Sequence, residues 1–248
     1  MPVSVSLLAA SAVRVASLNL CTDEYLLLLA DPTQVASVSR LSQDPADSSL
    51  WRMARRYSSN RGSLEGALTD RPTLLLTMGG GGRASGLIAR RMGLKTLDLS
   101  FPSTIDEVAS NMASVASALG DPARARHWRQ RLKTLRARSL PLVDSVFVAA
   151  GGDSIAAGSL GAQWMALAGF RQRPLPAARL SLETLAVRPP QILIRSSYRR
   201  SERSLAQTRL DHPLVRKAKS RTVWTDGRPW TCLGPLMVGE IERLRRER

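Results

Sequence analysis

SLEGALTDRPTLLL, residues 63–76, is echoed without a gap by SLETLAVRPPQILI, residues 181–194. Ser63 aligns with Ser181, Glu65 with Glu183, Pro72 with Pro190 and Leu76 with Ile194. Each copy reads as a short serine-capped helix, a proline break and an apolar strand. A serine hydroxyl satisfies free N–H groups of a first helical turn, and proline cannot continue a helix. Two copies are too few for a solenoid. A duplication at half the chain length, with a helix between the copies, instead gives two similar lobes. The space between lobes is a cleft, and small ligands bind in clefts.

Outward from the echo, strands alternate with helices. Val13 to Leu18 and Val35 to Ser39 read as strands on either side of the helical DEYLLLLA. Thr73 to Thr77 and Lys95 to Leu99 flank an amphipathic helix from Arg83 to Met92. This alternation predicts an α/β fold with parallel sheets flanked by helices. STIDE, from Ser103, offers a capping box for a helix to about Leu119. Asp121-Pro122 then starts a helix without Gly or Pro to about Leu140, rich in arginine. Its charges read as spread around the circumference, as on a solvated connector. Strands at Ser145–Ala149, Gln191–Ile194 and Thr222–Trp224 follow, with helices at Gly161–Ala168 and Gly234–Arg245. The expected organisation is an N-terminal lobe over 13–120, one long linker helix over 121–140 and a C-terminal lobe over 141–248.

The chain has 248 residues, enough to bury a substantial core, and its 44% hydrophobic and 23% charged composition excludes a disordered protein. A formal charge of +16 favours anionic partners, although aromatics, at 4%, are too scarce for base-stacking platforms. No apolar run reaches the roughly 18 residues of a membrane helix. Val3 to Ala12 is apolar and small, and Ala10-Ser11-Ala12 fits signal-peptidase cleavage. Residues 1–12 therefore read as the remnant of a signal peptide.

The ordered pieces RVASLNLCTDEYLLLLA, SVSRLSQDP, GSLEGALTDRPTLLLTMGGGG, RRMGLKTLDLSFPSTIDEVASNMASVASALG, ARLSLETLAVRPPQILI and TVWTDGRPWTCLGPLMVGEIERL cover most of the chain. Together they resemble the periplasmic substrate-binding proteins of ABC importers for cobalamin, haem and ferric siderophores, whose lobes are joined by one long helix. Cobalamin-binding proteins give the closest overall run. The resemblance implies a monomeric, non-enzymatic periplasmic protein that captures a metal chelate between its lobes and delivers it to a permease dimer in the inner membrane. The resemblance implies no resident cofactor or metal. Glu65 and Glu183 match the glutamates with which this family docks onto the two permease subunits, and each would sit in a first helical turn favoured by the helix dipole.

The resemblance also places the ligand at loops following the C-terminal ends of strands. That nominates Cys21, Arg40, Arg61, Met78, Gly79, Gly80, Arg83, Tyr198, Trp230 and Cys232. Gly79 to Gly82 would let backbone approach a bulky ligand, although they form no phosphate-binding loop. Cobalamin binders line the cleft with several aromatic rings, whereas this chain offers Tyr198 and Trp230. Arg40, Arg61, Arg83, Arg199 and Arg200 would suit an anionic chelate such as a ferric siderophore or haem.

Cys21 and Cys232 are the only cysteines. Leu20 stands where a lipid-anchor signal needs a small residue. A nucleophilic Cys21 would need a base, and the two histidines, His127 and His212, are poorly placed to serve. No metal-spaced His/Cys cluster appears. Under the resemblance both cysteines face the cleft, either as a disulfide across it or as ligand contacts. The competing functions are a nucleic-acid-binding protein, suggested by charge alone, and an enzyme using Cys21.

Overall fold

Short apolar runs bounded by proline, glycine and serine become strands, and all pair in parallel. The computed structural model describes residues 13–80, 83–149, 152–198, 208, 211–213, 215 and 220–248. The expected leader at 1–12 lies outside them, as do Gly81, Gly82, Gly151, Arg199, Arg200 and the side chain of Arg83.

The first sheet holds β1 (Val15–Ser17), β2 (Val35–Ser39), β3 (Ser58–Asn60), β4 (Leu74–Met78) and β5 (Lys95–Leu99), in the order β3-β2-β1-β4-β5. The second holds β6 (Val143–Val148), β7 (Phe170–Gln172), β8 (Ile192–Ser197) and β9 (Arg221–Asp226), in the order β7-β6-β8-β9. Without β3 the first order becomes β2-β1-β4-β5, the same topology as the second. The echoed apolar segments are β4 and β8, and their aligned residues Leu76 and Ile194 pair with Ser17 and Phe147 on the preceding central strands. The repeat thus extends to whole sheets. The short strands β3 and β7 have no counterpart in the sequence-based expectation.

Ten helices surround the sheets among the described residues: α1 (Leu20–Leu29), α2 (Trp51–Ala54), α3 (Leu64–Leu68), α4 (Arg83–Arg91), α5 (Ile105–Ala118), α6 (Arg126–Ala137), α7 (Leu160–Leu167), α8 (Leu182–Val187), α9 (Gly227–Cys232) and α10 (Met237–Arg246). The period-2 alternation of strands sends side chains to two faces. Val15, Leu74 and Leu76 enter one large cluster, while Ala16 and Leu75 enter a smaller one with Leu64 and Ala67 of α3. In the second sheet Phe147, Ile192 and Ile194 join the same large cluster, while Val146, Leu193 and Leu185 of α8 form a third. A single continuous core therefore runs through both lobes, which pack face to face. The echoed helices α3 and α8 are left on the two outer faces.

Between the sheets the chain runs through α5, a 3₁₀ turn (Pro122–Ala125) and α6. The connector departs from its expected form. Helix α6 ends at Ala137, and it is amphipathic rather than solvated all round: Trp128, Leu132 and Leu135 are buried in the shared core. The arginines occupy its remaining face. Arg131 closes against α10 through a two-pronged ion pair with Glu242, at 3.0 and 2.6 Å.

Candidate functional site

Parallel strands of both sheets deliver their C-terminal ends to one edge of the lobe interface. Its floor is built by α1 and α9. Asn19 caps α1, its Oδ1 accepting from the Thr22 N–H at 3.0 Å, so Cys21 lies in the first helical turn rather than in a loop. Asp226 caps α9, accepting from the Arg228 N–H at 3.0 Å, and Cys232 ends that helix. The two cysteines are joined in a disulfide with Cα atoms 5.3 Å apart, so neither is a free thiol for a metal or a nucleophilic step. The chain leaves α9 through Leu233 in the left-handed region (φ 51°). Two indoles hold the segment between α9 and α10. Trp164 Nε1 donates to the Leu233 carbonyl at 3.0 Å and Trp128 Nε1 to that of Pro235 at 2.8 Å.

Beside the disulfide, α1 buries two consecutive acids, which sequence reasoning did not place in the site. Asp23 accepts from the Ser39 N–H at 3.1 Å on each oxygen and from the Ser39 hydroxyl. Burial nevertheless pushes its carboxyl up to about 7, outweighing the Ser17, Ser39 and Ser42 hydrogen bonds that favour the charged form. Burial also holds Glu24 well above the usual carboxylate range, and the neighbouring Asp23 charge adds to it against the Leu236 N–H. Glu24 Oε2 has no hydrogen-bond partner among the described residues. It abuts Gly234 so closely that a Cβ there would lie 2.8 Å away, which explains the glycine.

Above the floor each lobe offers a hollow. On the N-terminal lobe, Leu18, Asn19, Ser39, Arg40, Leu41, Arg61 and Gly62 line about 390 Å³ at the ends of β1, β2 and β3. Arg40 and Arg61 are exposed there, without an ion pair among the described residues. On the other lobe, Ser197, Tyr198, Trp224, Thr225, Asp226, Arg228 and Arg243 line about 680 Å³ at the ends of β8 and β9. The Tyr198 and Thr231 hydroxyls are 2.8 Å apart, beside Cys232. Arg228, which sequence reasoning also missed, is held by Asp226 and reaches the Pro45 and Ser48 carbonyls of the opposite lobe at 3.0 and 3.4 Å.

The remaining nominated residues fall elsewhere. Met78 and Trp230 are core residues, not cleft linings. The Trp230 ring packs 4.5 Å from Phe147 and its N–H is used on Thr225. Gly79 takes a left-handed φ of 74° and lies under the Phe101 ring, where a Cβ would meet carbon at 2.2 Å. The Gly80 N–H donates to Asp98 at 3.1 Å. This turn therefore seats a protein ring, and Phe101, 66% exposed just beyond β5, is an aromatic that sequence reasoning passed over. The backbone of Arg83 starts α4. Glu65 and Glu183 are both exposed at the second residue of α3 and α8, behind Ser63 and Ser181 caps of the same geometry. Glu183 is held below the usual range by its own backbone N–H and then by the Ser181 hydroxyl.

No protein-family model and no curated protein matches the sequence. Solved structures do. The periplasmic haem-binding protein HutB of Vibrio cholerae superposes with a TM-score of 0.72 at 18% identity, covering 96% of this chain and 99% of that one. The fold is that of the bilobal periplasmic binding proteins. A periplasmic haem-binding protein of Pseudomonas aeruginosa gives 0.68 at 21% identity, covering 94% and 91%. The vitamin B12-binding protein BtuF of Vibrio cholerae gives 0.64 at 19%, covering 94% and 95%. Within this binding-protein fold no described helix is long and apolar enough to cross a membrane, and no described group of three His, Cys, Asp or Glu could hold a metal ion.

Proposed function

We propose that this chain is the periplasmic solute-binding component of an ABC importer, a non-enzymatic monomer that holds a metal chelate between its lobes. The observation carrying the proposal is the paired presentation of Glu65 and Glu183. Two Ser-capped helices, related by the internal repeat, expose one carboxylate each on opposite outer faces of a molecule with one continuous core. Such a pair suits a two-fold symmetric permease dimer. The neighbours that bind haem and vitamin B12 support the chelate class. Within it, Arg40 and Arg61, exposed and without an ion pair among the described residues, favour an anionic member, haem or a ferric siderophore, over a corrinoid, because guanidinium forks pair with carboxylate and catecholate oxygens. The domain boundaries expected from sequence, with 121–140 as the linker, fit this reading, as does a cleaved leader at 1–12.

Titration with haemin, a ferric catecholate and cyanocobalamin, followed by tryptophan fluorescence, tests the proposal. One-to-one binding of an anionic chelate is expected. Failure of all three to bind tightly, together with salt-sensitive retention on DNA, would replace it with a nucleic-acid-binding role.

A further inference from the structure

Ligand exchange in a two-lobed receptor depends on how far the lobes part, and here, among the described residues, they are tied at three places along the sheet edge. At the centre is Cys21–Cys232. On the β2 side, Arg228 spans to Pro45 and Ser48 while Ser49 donates to Asp226 at 3.3 Å. On the β5 side, Gln163 of α7 accepts from the Ile105 N–H at 3.3 Å and donates to the Ser103 carbonyl at 3.0 Å. The hydrogen bonds can exchange with water as the lobes separate. The disulfide cannot.

Its placement matters as much as its presence. Cys21 lies two residues after Asn19, a lining residue of the N-terminal hollow, and Cys232 follows Thr231, the partner of Tyr198 in the other hollow. The bond thus lies between the two hollows, in the floor that both share. Behind it, Glu24 pressed on Gly234 and the indoles on Leu233 and Pro235 leave the joined segments little freedom to slide.

We infer that the Cys21–Cys232 disulfide is a covalent strap that fixes the aperture of the interlobe cleft, so that ligand passes over a permanently closed floor and exchange becomes redox-sensitive. A dithiol reductant would open it in two steps. A thiolate attacks one sulfur and releases the other as a cysteine thiolate. The second reductant thiol then resolves the mixed disulfide, leaving two protein thiols and an oxidised dithiol. The consequence for exchange rests on the binding-protein reading, whereas the mechanical claim does not.

The test separates them. Spin labels are placed on non-cysteine handles at Leu87 of α4 and Val187 of α8, both exposed on outer faces. Distances are measured for the oxidised protein, the same protein reduced with a phosphine, and the Cys21→Ser/Cys232→Ser variant. The strap predicts longer or broader distances in both opened forms. It also predicts about tenfold faster amide exchange at Leu233 and Met237, whose hydrogen bonds lie next to the strap. Unchanged distances and exchange in a folded, reduced protein would overturn the inference, whatever ligand binds. If haemin binds, its dissociation should quicken in the reduced form. An unchanged rate with lengthened distances would refute the gating of exchange alone.

Discussion

Replacing Asp23 by asparagine should change how stability depends on pH, with a size set by its burial. Its carboxyl titrates near 7 in the folded protein, against an ordinary 3.8. Between those values the folded chain holds a proton that the unfolded chain has released. Stability contributed by this group is thus fully present below about pH 4 and is lost as pH rises toward 7. At 1.36 kcal/mol per pH unit, the loss approaches about 4 kcal/mol. Asparagine resembles the protonated acid in shape, so Asp23→Asn should match wild type within about 1 kcal/mol at pH 4 and exceed it at pH 8. Glu24 pulls in the same direction in both proteins, and its upward displacement should shrink once the Asp23 charge is gone. Urea unfolding at half-unit steps from pH 4 to 8 gives the difference curve, in which exposed carboxylates common to both proteins cancel. A difference that stays flat across this range would refute the reasoning.

Opening the disulfide should lower stability by about 5 kcal/mol on chain entropy for a separation of 211 residues, read as roughly a 10 °C drop in Tm in a reduced-against-oxidised calorimetric scan. Gly79→Ala should cost about 1–3 kcal/mol, because it adds a Cβ at φ 74° against the Phe101 ring; coupling with Phe101→Ala in a double-mutant cycle would separate clash from backbone strain. Arg40→Ala and Arg61→Ala should leave Tm within about 1 °C yet weaken an anionic chelate by about tenfold each, measured by calorimetric titration. Glu65→Ala with Glu183→Ala should leave chelate affinity unchanged while abolishing import in a reconstituted permease assay.

The fold was legible because its signals are local. A serine cap, a proline break and an apolar run mark α3–β4 and α8–β8 wherever they occur, and their repetition exposes the lobes. β3, made of Ser58, Ser59 and Asn60, carries no hydrophobic period, so only its pairing with β2 defines it. The side facing of single residues was less legible. Met78 ends β4 and Trp230 lies in α9 just after β9, where either core or cleft is open to an apolar side chain, and packing chose the core. The α6 stripe of Trp128, Leu132 and Leu135 was present at helical spacing but overshadowed by the arginines. Asp23 and Glu24 were misleading in another way, since acids in a first turn are ordinarily solvated. Asp23 is enclosed by Ser17, Ser39 and Ser42 of its own lobe, and Glu24 by Gly234 and Leu236 of the second lobe, far along the chain.

The shared core has a consequence for how such a molecule is put together. Neither half owns a complete interior: α1 and α5 complete theirs only against α7, α9 and α10. The halves stand to each other as subunits whose interface became intramolecular, with α6 as the tether that sets their effective concentration. Until α10 and Cys232 emerge, the N-terminal half waits with an apolar face unpaired and Cys21 as a lone thiol. Oxidation then joins two cysteines 211 residues apart.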